Sequence, residues 1–168
     1  MTNVVIKTNK GDINLQLFNE DAPLTVASFL YLIRKGLYNG LTFHRVIENF
    51  MVQGGCPLGT GTGGPKNVEI NAFEYQGQMV SYPFKDEFQS GRVFDKPGSI
   101  AMANAGPNTG SSQFFINLVD NNRLDSKHPV FGKVIQGMDV VDNIAKVNTD
   151  ENDRPLQEVK IIKAEIVD

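Results

Sequence analysis

Few side chains in this sequence are spaced for conventional catalysis. The histidines are His44 and His128, and Cys56 is the single cysteine. A metal centre made from these and scattered carboxylates has no CxxC or HxxxH spacing behind it, so no metal is expected. Ser111 and Ser112 lie outside any G-x-S-x-G elbow; His44 and His128 are their two possible partners, and proximity to either is not legible in the sequence. Cys56 has no lysine or histidine close to it in sequence and reads as a buried or half-buried inert thiol rather than a reactive one. Gly59-Thr60-Gly61-Thr62-Gly63-Gly64 fits G-x-G-x-x-G letter for letter. Pro65 and a polar stretch follow where a dinucleotide motif needs a helix, so these glycines read as a turn-forming loop and no cofactor is expected. Arg45 lies in an apolar strand beside His44, and period two sends the two to opposite faces. In isolation such an arginine is a solvated surface residue. Its chemistry is that of a permanent cation with rigidly held donors.

The elements that carry these residues are short. Val4 and Ile6 lead into the turn Thr8-Asn9-Lys10-Gly11, and Ile13, Leu15 and Leu17 then alternate with polar residues. That pattern predicts a hairpin with one wet face. A helix follows, with Asp21 as its cap, Pro23 in its first turn and Val26, Phe29, Leu30 and Ile33 at helical spacing; Gly36 or Asn39-Gly40 ends it. Thr42–Ile47, 51–54, 100–102 and 113–118 are the strand candidates of the middle. A second helix is expected over about 138–147, with Asp139 in its first turn. Ile162, Ala164 and Ile166 alternate with charged residues in a last strand. Many short strands and two helices predict a β-barrel or sandwich with helical covers. At 168 residues the length suits one domain. A net charge of −3 argues against nucleic-acid or anionic-membrane partners, and no apolar run is long enough to span a bilayer. The N-terminus shows no basic, then apolar, leader, and a lone cysteine suits a reducing cytoplasm.

Two segments carry more specific information. One is Phe43-His44-Arg45-Val46-Ile47 with Phe50-Met51-Val52-Gln53-Gly54-Gly55; the other is 101–109, Ala-Met-Ala-Asn-Ala-Gly-Pro-Asn-Thr, with Ser112-Gln113-Phe114-Phe115-Ile116. Together they resemble the signatures of the cyclophilin family of peptidyl-prolyl isomerases. Leu41-Thr42, His128, 130–134 and 137–141 resemble further family segments in the same order, so the likeness covers nearly the whole chain. It implies a mainly β fold, a closed eight-stranded antiparallel barrel capped by two helices, with the active groove on its outside. It also implies rotation of X–Pro bonds in proteins, with Arg45 catalytic. Phe50, Met51, Phe115 and Leu124 would seat the proline ring, with His128 at the rim. Gln53 and the backbone of Asn104 would hold the substrate chain, with Ala103 and Gln113 shaping the groove. Proline-containing polypeptides are the implied partners, and a monomer is expected.

The sequence departs from the family pattern twice. A rim position that is commonly Trp in the family is Arg123 here, which predicts weak cyclosporin binding. The stretch 66–83 is longer than the usual family connection; Val68-Glu69-Ile70 and 78–82 suggest a small hairpin around Tyr75-Gln76-Gly77. A tolerated surface insertion is the plain expectation for it, with control of residues flanking the proline as the functional alternative. The rival to catalysis is a binding module that holds proline-containing segments in the same groove without turning them over.

Overall fold

The first seventeen residues fold as their alternation requires. In the computed structural model, which describes residues 1–88 and 96–167, β1 (Thr2–Thr8) pairs antiparallel with β2 (Gly11–Leu17). Ile13, Leu15 and Leu17 point inward and are fully buried. Helix α1 (Pro23–Arg34) follows and buries Val26, Phe29, Leu30 and Ile33 on one face. It ends at Lys35 and Gly36, where the Leu37 amide reaches back to the Leu32 carbonyl.

The expected Asp21 cap is not there. Ala22 occupies the cap position with no side-chain hydrogen bond. The buried carboxylate of Glu87 does the work instead, accepting from the Leu24 amide at 3.0 Å and from the Thr25 amide and hydroxyl at 2.7 Å each. A negative group at a helix N-terminus satisfies orphan donors and opposes the dipole favourably.

The remaining strands are β3 (Arg45–Ile47), β4 (Met51–Gly54), β5 (Ala72–Tyr75), β6 (Gln78–Ser81), β7 (Ser99–Met102), β8 (Phe114–Asn117), β9 (Val130–Gln136) and β10 (Ile161–Ile166), with helix α2 (Met138–Ala145) before the last. Eight of them form one antiparallel sheet in the order β10-β1-β2-β9-β7-β8-β4-β3. The expected eight-stranded barrel with two helices is thus present, but its closure is partial. Between β3 and β10 there is no ladder. The seam is crossed by one bridge, Thr42 to Lys160, and by backbone bonds from Phe43 to Val159 and from Ile161 to Leu41. Inside the barrel, Phe29, Tyr38, Phe43, Phe114 and Phe131 pack at tilted and edge-to-face angles among aliphatic side chains. Aromatic rings in these orientations fill a core densely.

Two local expectations need correction. Along β10, Lys7 faces Lys163 and Thr8 faces Ile161, so the register slips at Ile162. That bulge turns Ile162 outward, 59% exposed, and buries Ile161 in its place. In the 66–83 stretch the hairpin exists, but its first arm is Ala72–Tyr75 rather than 68–70. Pro65–Val68 instead make a 3-10 turn that ends with Glu69 in a left-handed conformation. The hairpin turn at Gln76-Gly77 has positive φ at both residues, which matches the twist of the flanking strands. This hairpin packs on α1. Phe73, Tyr82 and Phe84 form an aromatic cluster there, and the Tyr82 hydroxyl bonds Ser28 at 2.7 Å. Its buried contacts therefore serve the helix, and the alternative in which it flanks the groove gains no support from them.

Candidate active site

Strand pairing assembles a row of side chains that are distant in sequence. Arg45 on β3 lies opposite Gln53 on β4, and Gln53 lies opposite Phe115 on β8. Phe115 faces Ala101 on β7, which faces Val130 on β9. These side chains project from the outside of the barrel, because their neighbours Val46, Val52, Phe114, Ile100 and Phe131 fill the inside. The outer face is nevertheless apolar here. Phe18, Met51, Ala101, Ala103, Phe115 and Val130 form a second buried cluster, against which Ile47, Phe50 and Leu124 pack. Contiguous apolar surface outside a core marks a place where a partner binds.

A groove of about 470 Å³ opens over this cluster. Phe50, Met51, Phe115 and Leu124 give it an apolar floor and wall, and Ala103, Asn104 and His128 line the side towards β7 and β9. Arg45 and Gln53 line the opposite side. Arg123 also borders the groove, its guanidinium 4.7 Å from the centre of the Phe50 ring. That spacing suits a cation–π contact. Of the residues expected to form the site, Gln113 alone does not line the groove.

Gln113 stands behind the groove as part of a relay. The Arg45 guanidinium donates to Gln53 Oε1 at 3.5 Å, a long contact, and Gln53 Nε2 donates to Gln113 Oε1 at 3.0 Å. Gln113 Nε2 in turn donates to the carbonyls of Gly61 and Gly63 at 2.9 and 3.0 Å. The glycine loop that resembled a nucleotide motif is thus a bracket for the relay. Cys56 holds the loop from its other side, its sulfur accepting from the amides of Gly61 and Gly63 at 3.3 and 3.2 Å. Burial pushes the Cys56 thiol up, but amide hydrogen bonds from Gly63, Thr60, Gly61 and Leu58 outweigh it and set the thiol below its ordinary range. At the end of β4, Gly55 takes a positive φ, and a Cβ there would sit 2.5 Å from the Ser112 carbonyl. Only glycine lets β4 turn so close to the segment that carries Gln113.

His128 is half-buried, with Nδ1 3.0 Å from the Met102 carbonyl and its ring edge-on to Phe115 at 5.2 Å. A carbonyl only accepts, so Nδ1 carries the proton and Nε2 is the free nitrogen of the neutral ring. Burial lowers the pKa of His128 below its usual value, against a smaller upward pull from the Met102 hydrogen bond, so the ring is neutral at pH 7. Asn104 points its side-chain amide at the Lys127 carbonyl, 2.8 Å away. No backbone–backbone hydrogen bond among the described residues uses the Asn104 main chain. An extended polypeptide laid in the groove therefore finds a free donor and acceptor there. His44 faces inward as expected, buried under the glycine loop and without a partner for Nδ1. Burial, reinforced by Arg154 and Arg45, lowers its pKa to about 4.

The family model for cyclophilin-type peptidyl-prolyl cis-trans isomerases matches residues 3–166. The chain belongs to this family. It is 44% identical to human peptidyl-prolyl cis-trans isomerase-like 1 over 96% of the chain and 90% of that protein. The Gibberella zeae protein of the same name is 42% identical, over 99% of the chain and 96% of the relative. Arabidopsis thaliana CYP71, another peptidyl-prolyl cis-trans isomerase, is 47% identical over 98% of the chain, which spans only 24% of that longer protein. Among solved structures, a Cryptosporidium parvum cyclophilin-type isomerase superposes with a TM-score of 0.87 at 32% identity, covering 99% of this chain and 98% of its own. The same isomerase was also solved in the presence of the dipeptide Ala-Pro.

Proposed function

We propose that the groove carries out the reaction of its family on X–Pro bonds of polypeptides, with Arg45 as the catalytic residue. The X–Pro amide is held by resonance, with a barrier of roughly 18–20 kcal/mol, and turns over unaided in tens to hundreds of seconds. No bond breaks, so no nucleophile, general base or metal is required. The enzyme has only to bind the twisted amide better than either planar form. Twisting pyramidalises the prolyl nitrogen and restores its lone pair, which accepts a hydrogen bond that the planar amide cannot. Arg45 supports this reading because it stands on the polar edge of an apolar floor, with Gln53 against its guanidinium. The Phe115, Met51 and Leu124 surface takes the ring, while Gln53 and the free backbone of Asn104 hold the chain on either side. Assisted folding of proteins whose X–Pro bonds are slow follows from that activity.

One observation carries the assignment: a permanent cation sits beside an outward apolar groove that has no acid–base pair in it. Protease-coupled kinetics on an X–Pro peptide test it. Arg45→Ala should lower kcat/KM by about a hundredfold or more, as loss of a preorganised transition-state donor does, with KM changed little. Equal rates for the two proteins would remove Arg45 from the mechanism. No rate above background in either would leave a groove that only binds.

Cyclosporin is a separate matter. Arg123 lies over Phe50 at the rim, presenting a hydrated cation where family members commonly present Trp. Weak binding is the proposal, and a calorimetric titration giving nanomolar affinity would overturn it.

A further inference from the structure

A tight turn over residues 149–155 reaches both ends of the Gln53 relay without entering the groove. Its own bonds fold it. The Asp150 carboxylate accepts from the amides of Asn152 and Arg154 at 2.8 and 3.1 Å, and Thr149 bridges Pro155. Asp153 takes a positive φ, and its carbonyl accepts from the Val46 amide at 2.8 Å. That bond lies on the edge of β3 away from β4, one residue from Arg45. Arg154, next in the turn, donates from its guanidinium to the Gly59 carbonyl. Gly59 opens the glycine loop, whose Gly61 and Gly63 carbonyls hold Gln113. One turn thus fixes both the strand that carries Arg45 and the loop that anchors Gln113. The tip of that loop stands clear of the barrel: Thr60 and Thr62 are exposed, and their hydroxyls bond each other at 2.7 Å. Cys56 and Gln113 hold the loop from the protein side, and Arg154 struts it from outside.

We propose that Arg154 is a positioning residue for the isomerase reaction: by pinning Gly59 it holds the glycine loop, and through Gln113 and Gln53 the Arg45 guanidinium. The proposal rests on the proposed catalytic role of Arg45. The Arg45–Gln53 contact is already long at 3.5 Å, so a small displacement of the loop breaks it first. A guanidinium out of place forfeits rate even where binding survives. The apolar seat made by Phe50, Met51, Phe115 and Leu124 is carried by other elements and stays as it is.

Arg154→Met keeps the stem of the side chain and removes its donors. Arg154 is exposed, so the core of the variant is intact. Its kcat on an X–Pro peptide should fall by about tenfold with KM changed little. In a Gln113→Ala background the same substitution should add little further loss, because both act on one relay. Hydrogen exchange of the Gln113 side-chain amide should quicken by about tenfold or more, while the backbone amides of β8 keep their wild-type protection. A merely structural loss would speed both. A wild-type kcat, losses fully additive with those of Gln113→Ala, or equal loss of protection at Gln113 and along β8 overturns the positioning role. If the wild type turns over no peptide, the isomerase reading fails instead, and Gln113 exchange alone decides whether Arg154 holds the loop.

Discussion

Arg45 and His44 are adjacent and have opposite fates, because a strand alternates its faces. One meets solvent and the groove; the other is buried under the glycine loop. The alternation was readable from the sequence, and so were the apolar groove residues once the family motif placed them. Gln113 was harder. Its position beside Phe114 and Phe115 marks it as near the groove, but only the folded loop shows that both ends of its amide are engaged. Its hydrogen bond to Gln53 makes it a candidate positioning residue for the proposed mechanism. Gln113→Ala leaves Gln53 without its acceptor and two glycine carbonyls without their donor. The expected result is a loss of about tenfold in kcat/KM, with Gln53→Ala adding little further loss in that background. Groups that act through one another are non-additive, so a double-mutant cycle of kcat/KM decides the point. Fully additive losses would break the relay.

The helices show what local pattern can and cannot specify. Spacing of Val26, Phe29, Leu30 and Ile33 located α1, and Gly36 ended it, because those signals lie within one turn of the element. The cap was missed because it comes from Glu87, sixty-two residues beyond Thr25. In the same way, Val68-Glu69-Ile70 has strand-forming side chains, yet Pro65 starts a 3-10 turn and Glu69 adopts a left-handed conformation, so the pairing arm begins later. Glu87→Ala should cost about 2–3 kcal/mol, since it removes three hydrogen bonds and leaves the Thr25 amide buried without an acceptor. Urea unfolding measures the loss, and helix content near the N-terminus of α1 should fall with it. A change within about 0.5 kcal/mol would mean that another acceptor takes over the cap.

For the whole molecule, the strand order β10-β1-β2-β9-β7-β8-β4-β3 was beyond the reach of periodicity, because four of its seven pairings join strands that are not consecutive in the chain. That topology also places His44 where Arg45 and Arg154 both oppose its protonation, in a site already dry enough to favour the neutral ring. The unfolded chain, with an ordinary histidine pKa of about 6.5, binds a proton that the folded chain refuses until about pH 4. Stability from this group is therefore complete above the unfolded value and drains away as pH falls through the window between the two. His128, lowered in the same direction by its own burial, adds to the trend. For His44 alone the linkage amounts to about 2 kcal/mol between pH 7.5 and pH 5. Urea unfolding of the wild type beside His44→Gln over that range isolates it. The variant is less stable at pH 7.5, where His44 packs neutral, yet should lose about 2 kcal/mol less on acidification. Parallel stability curves for the two proteins would mean that the buried ring accepts its proton without penalty, and acid sensitivity would then have to come from carboxylates.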